Sequence, residues 1–373
     1  MSRPSLIVQG LRVLEFRRFW IVALVALLLV YPQVMPRFWV LSIASQAMIL
    51  GIIALSLIFL AGYVGMVSLA QVMLASIAGY ITAMATVAWG VPILIGTVLG
   101  LGAAVFVGLV IGAISARSQG IYFLMLTMAL AVGFFYLTLQ NYEFFNGHRG
   151  FAQIPSPTGI PRADPPLFYY ISLAAAALMY GGVKYIVRTP FGLALQGIRD
   201  NPRRMQTLGY WVVMYRIAAF GLAGLIAGVG GVLGIWYRSS ISPGVADLTR
   251  TIDVLIIAVV GGLAFPAGAF VGAFVFILVE TFASSIPSIA LGPLQIEFDE
   301  RFNTVIGLAF LLIVLFAPGG IVGTAHKFIA SVRGRGAHTS GTLTTSERDR
   351  SADEPQAPKV EQGPVSDNQS PTD

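Results

Sequence analysis

RTPFGLALQGIRDNPRRMQTLGY, Arg188–Tyr210, decides how this chain is read. It places Arg188, Arg199, Arg203 and Arg204 close together in a sequence of which only 11% is charged. Apolar runs flank it on both sides, Leu167–Val187 and Val213–Tyr237, each about the 20 residues that an α-helix needs to cross the hydrocarbon core of a bilayer. A basic, helix-capable segment between two such runs lies outside the hydrocarbon. The chain is therefore expected to thread repeatedly through a membrane.

Composition agrees. Of 373 residues, 56% are hydrophobic and 41 are glycine, and the mean hydropathy is +0.81; soluble domains carry about 25% charged residues. The net charge of +6 and the pI near 9.6 do not describe a nucleic-acid surface. The basic residues sit in short segments beside apolar runs, where they set membrane orientation. The absence of cysteine excludes disulfides, thiol catalysis and Cys-ligated metals.

His148, His326 and His338 have no metal-ligand spacing, and no G-x-S-x-G elbow or paired-carboxylate cleft is evident. Lys184, Lys327 and Lys359 are the lysines of the chain, and none completes the G-x-x-x-x-G-K-[ST] loop that cradles phosphates. Work driven by ATP would need another chain to hydrolyse it.

The expected fold is all-α, a polytopic helical bundle of about eight spans. The spans are Phe19–Met35, Trp39–Ala61, Val67–Ala88, Val91–Ser115, Ile121–Gln140, Leu167–Val187, Val213–Tyr237 and Asn303–Ile321. A further region, Asp253–Ser285, is too long for one span and is broken at GGLAFPAG, Gly261–Gly268. Read as an out-and-back hairpin, it returns Lys327, Arg333 and Arg335 to the side that also holds Arg3, Arg12, Arg17 and Arg18, in line with the positive-inside bias.

Residues 1–18 are then a cytoplasmic N-terminal segment, 19–330 the permeating domain with 188–212 as a cytoplasmic insertion, and 331–373 a polar cytoplasmic tail without apolar periodicity, expected to be disordered. The first run ends in YPQVMPRF without an A-x-A-like cleavage site, which favours a retained helix over a signal peptide.

Two segments are interrupted within the membrane. GYVGMVSLAQVMLASIAGY, Gly62–Tyr80, breaks at Gly62 and Gly65 and resumes with Ser68 and Gln71. VVGGLAFPAGAFVGAFVFILVE, Val259–Glu280, breaks at Gly261 and Gly262. Unwound helices in transporters expose backbone groups that hold solute or ions; close packing of small residues is the other reading. Breaks at corresponding places in two halves suggest a weak internal repeat. Glu280 and Asp253 are the carboxylates of the second region: an intramembrane acid is a translocation-path candidate, and the alternative is a helix end that reaches water.

Within the opening stretch, Asn201 followed by Pro202 reads as the capped start of a short helix, Pro202–Leu208, stopped at Gly209. Two turns are unstable alone in water, so this helix is expected to dock on another surface. FGLALQGIR forms a second helix with Phe191, Leu195 and Ile198 on one face.

FGLALQGIRDNPRRMQTLGYWVVMYRIAAFGLAGLIAGVGGVL resembles the cytoplasmic loop and following helix of ABC-importer permeases of the high-affinity branched-chain amino acid family, the LivM type. LAGYVGMVSLAQVMLASIAGY, QGIYFLMLTMA, ISPGVADLTRTIDVLIIAVVGGLAFPAGAFVGA and LLIVLFAPGGIVG match further landmarks of that family, in order, from about Ala47 to Gly323.

The resemblance implies a permease without covalent chemistry or cofactor of its own, in a bacterial-type inner membrane. Its implied partners are a LivH-like second permease, two cytoplasmic ATPase subunits that use ATP and Mg, an extracytoplasmic solute-binding protein, a small-molecule solute and membrane lipid, with no nucleic acid. By carry-over, Gly209 matches the glycine of the ATPase-coupling loop, and Arg199, Asp200, Asn201, Arg203 and Arg204 face or flank the ATPase. Gly62, Gly65, Ser68, Gln71, Gly261, Gly262 and Glu280 are the path candidates.

This chain departs from the family pattern in three places. RRMQT stands where many members have an alanine-rich run, Gln71 where many have Gly-His, and NGHRGF where a TGG-type loop is commoner. The family also carries urea, amides and aromatic acids. An ion-coupled secondary transporter using Glu280 or Asp253 is the reading of another class.

Overall fold

The computed structural model describes residues 26–115, 117–118, 120–157, 164–283, 289–291, 294–296, 307 and 320–324. The expected first span is helical over 26–34. The N-terminal segment 1–18, most of Asn303–Ile321 and the tail 331–373 lie outside the described residues.

Ten helices carry the fold. They are α1 (Trp39–Val64), α2 (Gln71–Val87), α3 (Ile93–Ser115), α4 (Ile121–Gln140), α5 (Pro165–Ile186), α6 (Pro190–Asp200), α7 (Pro202–Thr207), α8 (Val212–Arg238), α9 (Leu248–Gly261) and α10 (Gly268–Ala283). Among the described residues, α1, α3, α4, α5 and α8 are long and apolar enough to cross a membrane, and α2 and α10 are shorter apolar helices. This is the all-α membrane bundle that the hydropathy pattern requires.

Helices α1 and α8 form the centre. α1 packs on α2, α8, α9 and α10, and α8 packs on α1, α2 and α3. Leu55, Ile58, Phe59, Phe220 and Ala223 are fully enclosed there. The outer helices α3 and α4 instead present Leu94, Val98, Phe106, Tyr122 and Met125 outwards, as expected of helices that face lipid. The α3–α8 and α2–α8 seams rest on small residues. A Cβ on Gly224 would meet the Ala104 carbonyl, and one on Gly231 would meet the Ala75 backbone, so backbones approach as closely as glycine permits.

The expected hairpin is present. α9 ends at Gly262 (φ 106°), residues 263–267 turn, and α10 runs back along α9. The first interrupted segment has a parallel layout: α1 ends at Gly65 (φ 76°), residues 65–70 are unwound, and α2 follows. Helix, positive-φ glycine, short connection and second helix recur in both, as a weak repeat would give.

At the end of the bundle that carries the carboxy terminus of α8, the loop after α4 folds into a cap. Phe151–Ala152 (β1) pairs antiparallel with Ser240–Ile241 (β2), and Ile154 and Ile241 pack with Tyr80 and Ile235. A separate antiparallel pair, Ile289–Leu291 (β3) with Leu294–Ile296 (β4), follows α10.

Candidate functional site: the basic segment and the helix breaks

The basic stretch folds as two capped helices. The Thr189 hydroxyl accepts from the Gly192 amide at 3.4 Å and starts α6; the Asn201 side chain accepts from the Arg204 amide at 3.0 Å and starts α7. Pro202 forces its predecessor out of the helical region, and Asn201 is extended (φ −155°, ψ 95°), which ends α6 at Asp200. α7 closes at Thr207, one residue short of the expected end, and Gly209 takes a positive φ of 86°.

The apolar face of α6 is as its spacing requires. Leu195 and Ile198 are fully buried, and Phe191 stacks on Tyr215 of α8 with ring centroids 5.5 Å apart. Its polar edge does something the periodicity does not show: Arg199 donates from Nη1 to the carbonyl of Gly62, the unwinding end of α1. The aliphatic part of Arg199 covers Gly65, and its guanidinium also pairs with Asp200 at 3.0 Å. The carbonyl of Gly62 is freed because Gly65 leaves the helix, so a charged donor satisfies an orphan acceptor.

The two breaks touch each other. A Cβ on Gly62 would meet the Leu263 carbonyl, and one on Gly261 would meet Gly268, so Gly62, Gly261, Gly262 and Leu263 form one glycine-lined junction. Gly65, Arg199 and Arg216 line a cavity of about 480 Å³ beside it, together with Met66, Phe123 and Pro202. Arg216 is buried on α8, 6% exposed.

The other residues of the first break are packed rather than open. The Ser68 hydroxyl accepts from the Ala70 amide at 3.2 Å, and Gln71 Oε1 accepts from Ser56 at 2.8 Å. Both Ser68 and Gln71 are buried. NGHRGF belongs to the cap at the opposite end, where Asn146 takes a positive φ of 59° and donates from Nδ2 to the Gly150 carbonyl at 2.7 Å.

Arg203, Arg204 and Gly209 point away from the bundle and are exposed. Leu208 and Trp211 beside them are exposed too, at 66% and 76%. Basic and apolar side chains on two capped turns make a surface suited to a partner.

Glu280 and Asp253 are at the far end of α8 from Arg199. Both reach Arg250, Asp253 at 3.5 Å and Glu280 at 3.9 Å. Arg238, the last residue of α8, joins them in lining a pair of adjoining cavities. Sequence reasoning picked out the two acids and missed their basic partners. The available signal was orientation: Arg238 and Arg250 flank the loop that the positive-inside count assigns to the side opposite Arg188–Tyr210.

Membrane-crossing helices, two glycine breaks packed together and an exposed basic pair of helices that grips one of them define a multi-pass membrane transport subunit. The chain belongs to the family described as branched-chain amino acid transport system / permease component, whose model matches residues 39–317.

The high-affinity branched-chain amino acid permease protein LivM of Escherichia coli (strain K12) is 23% identical over 332 residues, covering 82% of this chain and 75% of that protein. A probable LivH of Methanocaldococcus jannaschii is 29% identical over 161 residues, 43% of this chain and half of that protein's length. The nucleoside ABC transporter permease protein NupC of Lactococcus lactis subsp. cremoris is 30% identical over 203 residues, 51% of this chain and 63% of that protein. No solved structure matches the chain.

Proposed function

We propose that this chain is a permease subunit of an ATP-driven importer in a bacterial-type inner membrane. It forms the translocation path with a LivH-like second permease, takes solute from an extracytoplasmic binding protein and is driven by two cytoplasmic ATPase subunits that use ATP and Mg. Both termini and segment 188–212 are cytoplasmic, in keeping with the basic residues there. The chain does no covalent chemistry and needs no cofactor of its own. The solute is an amino acid of the branched-chain or a related class.

One observation carries this reading: Arg199 bonds to Gly62, and Gly62 packs on Leu263. Displacement of α6 and α7 by an ATPase thus pulls directly on the first break and, through it, on the second. Alternating access follows if the two breaks change their packing together. The exposed Arg203, Arg204, Leu208 and Trp211 are the ATPase contact.

Purification with the products of neighbouring genes tests this. The importer reading expects ATPase subunits to co-purify, with hydrolysis that rises when a solute-loaded binding protein is added. Uptake that persists in cells lacking the ATPase and follows a proton or sodium gradient would instead establish an ion-coupled transporter working through Asp253 or Glu280.

A further inference from the structure

Two cavities of about 70 and 90 Å³ lie between α1, α8 and the α9–α10 hairpin, at the end of α8 remote from Arg199. They share Ile49, Leu50, Gly234, Arg238 and Arg250, so they are two lobes of one space. Asp253 borders the first lobe, Glu280 and Gln46 the second. Four charged side chains thus converge, two of each sign, and their formal sum is zero.

Those charges are incompletely spent on one another. The Arg250 contacts of 3.5 and 3.9 Å are longer than the ~2.7–2.9 Å of a tight charge-assisted hydrogen bond. Arg238 enters no ion pair among the described residues. Deeper in the first lobe, the Ser76 hydroxyl is buried without a hydrogen-bond partner among the described residues. An unsatisfied buried hydroxyl costs about 1–3 kcal/mol, a penalty that a polar ligand relieves. The remaining wall is aliphatic, from Ile53, Val72 and Val254.

We propose that this space is a solute site within the single permease chain, and that it selects a zwitterion with a small aliphatic substituent. Arg238 and Arg250 take the carboxylate, Asp253 and Glu280 the ammonium, and the aliphatic wall the side chain. A neutral nucleoside leaves all four charges uncompensated, and a singly charged solute leaves an excess of one sign, so both are disfavoured. This rests on the importer reading and narrows its solute. A 150 Å³ cavity accommodates benzene, so the two lobes suit a solute with a few carbon atoms beyond its charged head.

The test uses the assembled importer in nanodiscs without its binding protein, with tritiated L-leucine as probe. Leucinol, which lacks the carboxylate, 4-methylpentanoate, which lacks the amine, and adenosine serve as competitors. We expect saturable leucine binding with all three competitors at least tenfold weaker than unlabelled leucine. Asp253→Asn and Arg250→Gln should each weaken leucine at least tenfold, and Asp253→Asn should shrink the penalty for 4-methylpentanoate. If a variant fails to assemble, the competition series on the unaltered complex still decides.

Equal competition by leucinol or adenosine, unchanged leucine binding in both variants, or no leucine binding to the complex overturns the site. In each of those cases, ATP-driven uptake of some other solute would leave the importer reading standing.

Discussion

Arg199 on α6 donates a hydrogen bond to the carbonyl of Gly62 at the end of α1, joining positions 137 residues apart in sequence. A bond from a charged donor contributes about 1.5–3 kcal/mol. Because both ends are half outside regular helix, its loss is expected to loosen the junction rather than unfold the bundle. Arg199→Ala should lower ATP-driven uptake roughly tenfold or more, while ATPase subunits still co-purify. Uptake measured in proteoliposomes at matched protein checks this; unaltered uptake removes the bond from the transmission route.

Gly65 and Gly209 both have positive φ, 76° and 86°, but their surroundings differ. A Cβ on Gly65 meets the Arg199 side chain, and one on Gly209 meets nothing within 4 Å. Each alanine substitution costs about 1 kcal/mol or more in backbone strain. Gly65→Ala alone should also displace Arg199 and reduce uptake as Arg199→Ala does. Thermal unfolding in detergent, read beside uptake, separates strain from transmission.

The α2–α8 seam is expected to be intolerant of even one methyl group. Gly231→Ala would drive a Cβ into the Ala75 backbone, which cannot step aside as a side chain does; overpacking of this kind costs about 1–3 kcal/mol. Gly102 on α3 has open space around it, so Gly102→Ala should be neutral or mildly stabilising, since glycine inside a helix is the poorer residue. The difference in unfolding temperature between the two variants is the measurement.

The cap offers a register test that the absence of cysteine makes clean. Ala152 lies opposite Ser240 in the β1–β2 pair, within the ~4.5–5.5 Å Cα separation of an antiparallel ladder, which a disulfide spans. Ala152→Cys with Ser240→Cys should oxidise readily to an intramolecular cross-link seen as a gel-mobility shift. Failure to cross-link would contradict this register.

Much of this was legible in the residues. Hydropathy gave the spans because lipid demands long apolar helices with every backbone group satisfied, and Asn201-Pro202 announced a helix start because capping chemistry is local. Gly62, Gly65, Gly261 and Gly262 announced breaks for the same reason. What the residues did not show was that the breaks meet through Gly62 and Leu263, that Arg199 turns inward to hold one of them while Arg203 and Arg204 face out, or that Asp253 and Glu280 share Arg250. These are long-range contacts set by helix packing, and local propensity carries no information about them. Ser68 and Gln71 illustrate the converse: their polarity in an apolar run reads as function, yet one supports the break and the other bonds to Ser56.

The central claim is that α6 and α7 transmit ATPase motion to the helix breaks through an exposed basic surface. Its most direct measurement is the ratio of solute imported to ATP hydrolysed by the reconstituted importer, comparing the unaltered chain with the double variant Arg203→Glu, Arg204→Glu. Both side chains are exposed, so the reversal should leave membrane insertion and the fold intact. The account predicts a ratio at least tenfold lower, whether hydrolysis persists without import or is no longer stimulated. An unchanged ratio in a correctly inserted variant would contradict it, and reduce Arg188–Tyr210 to an orientation signal.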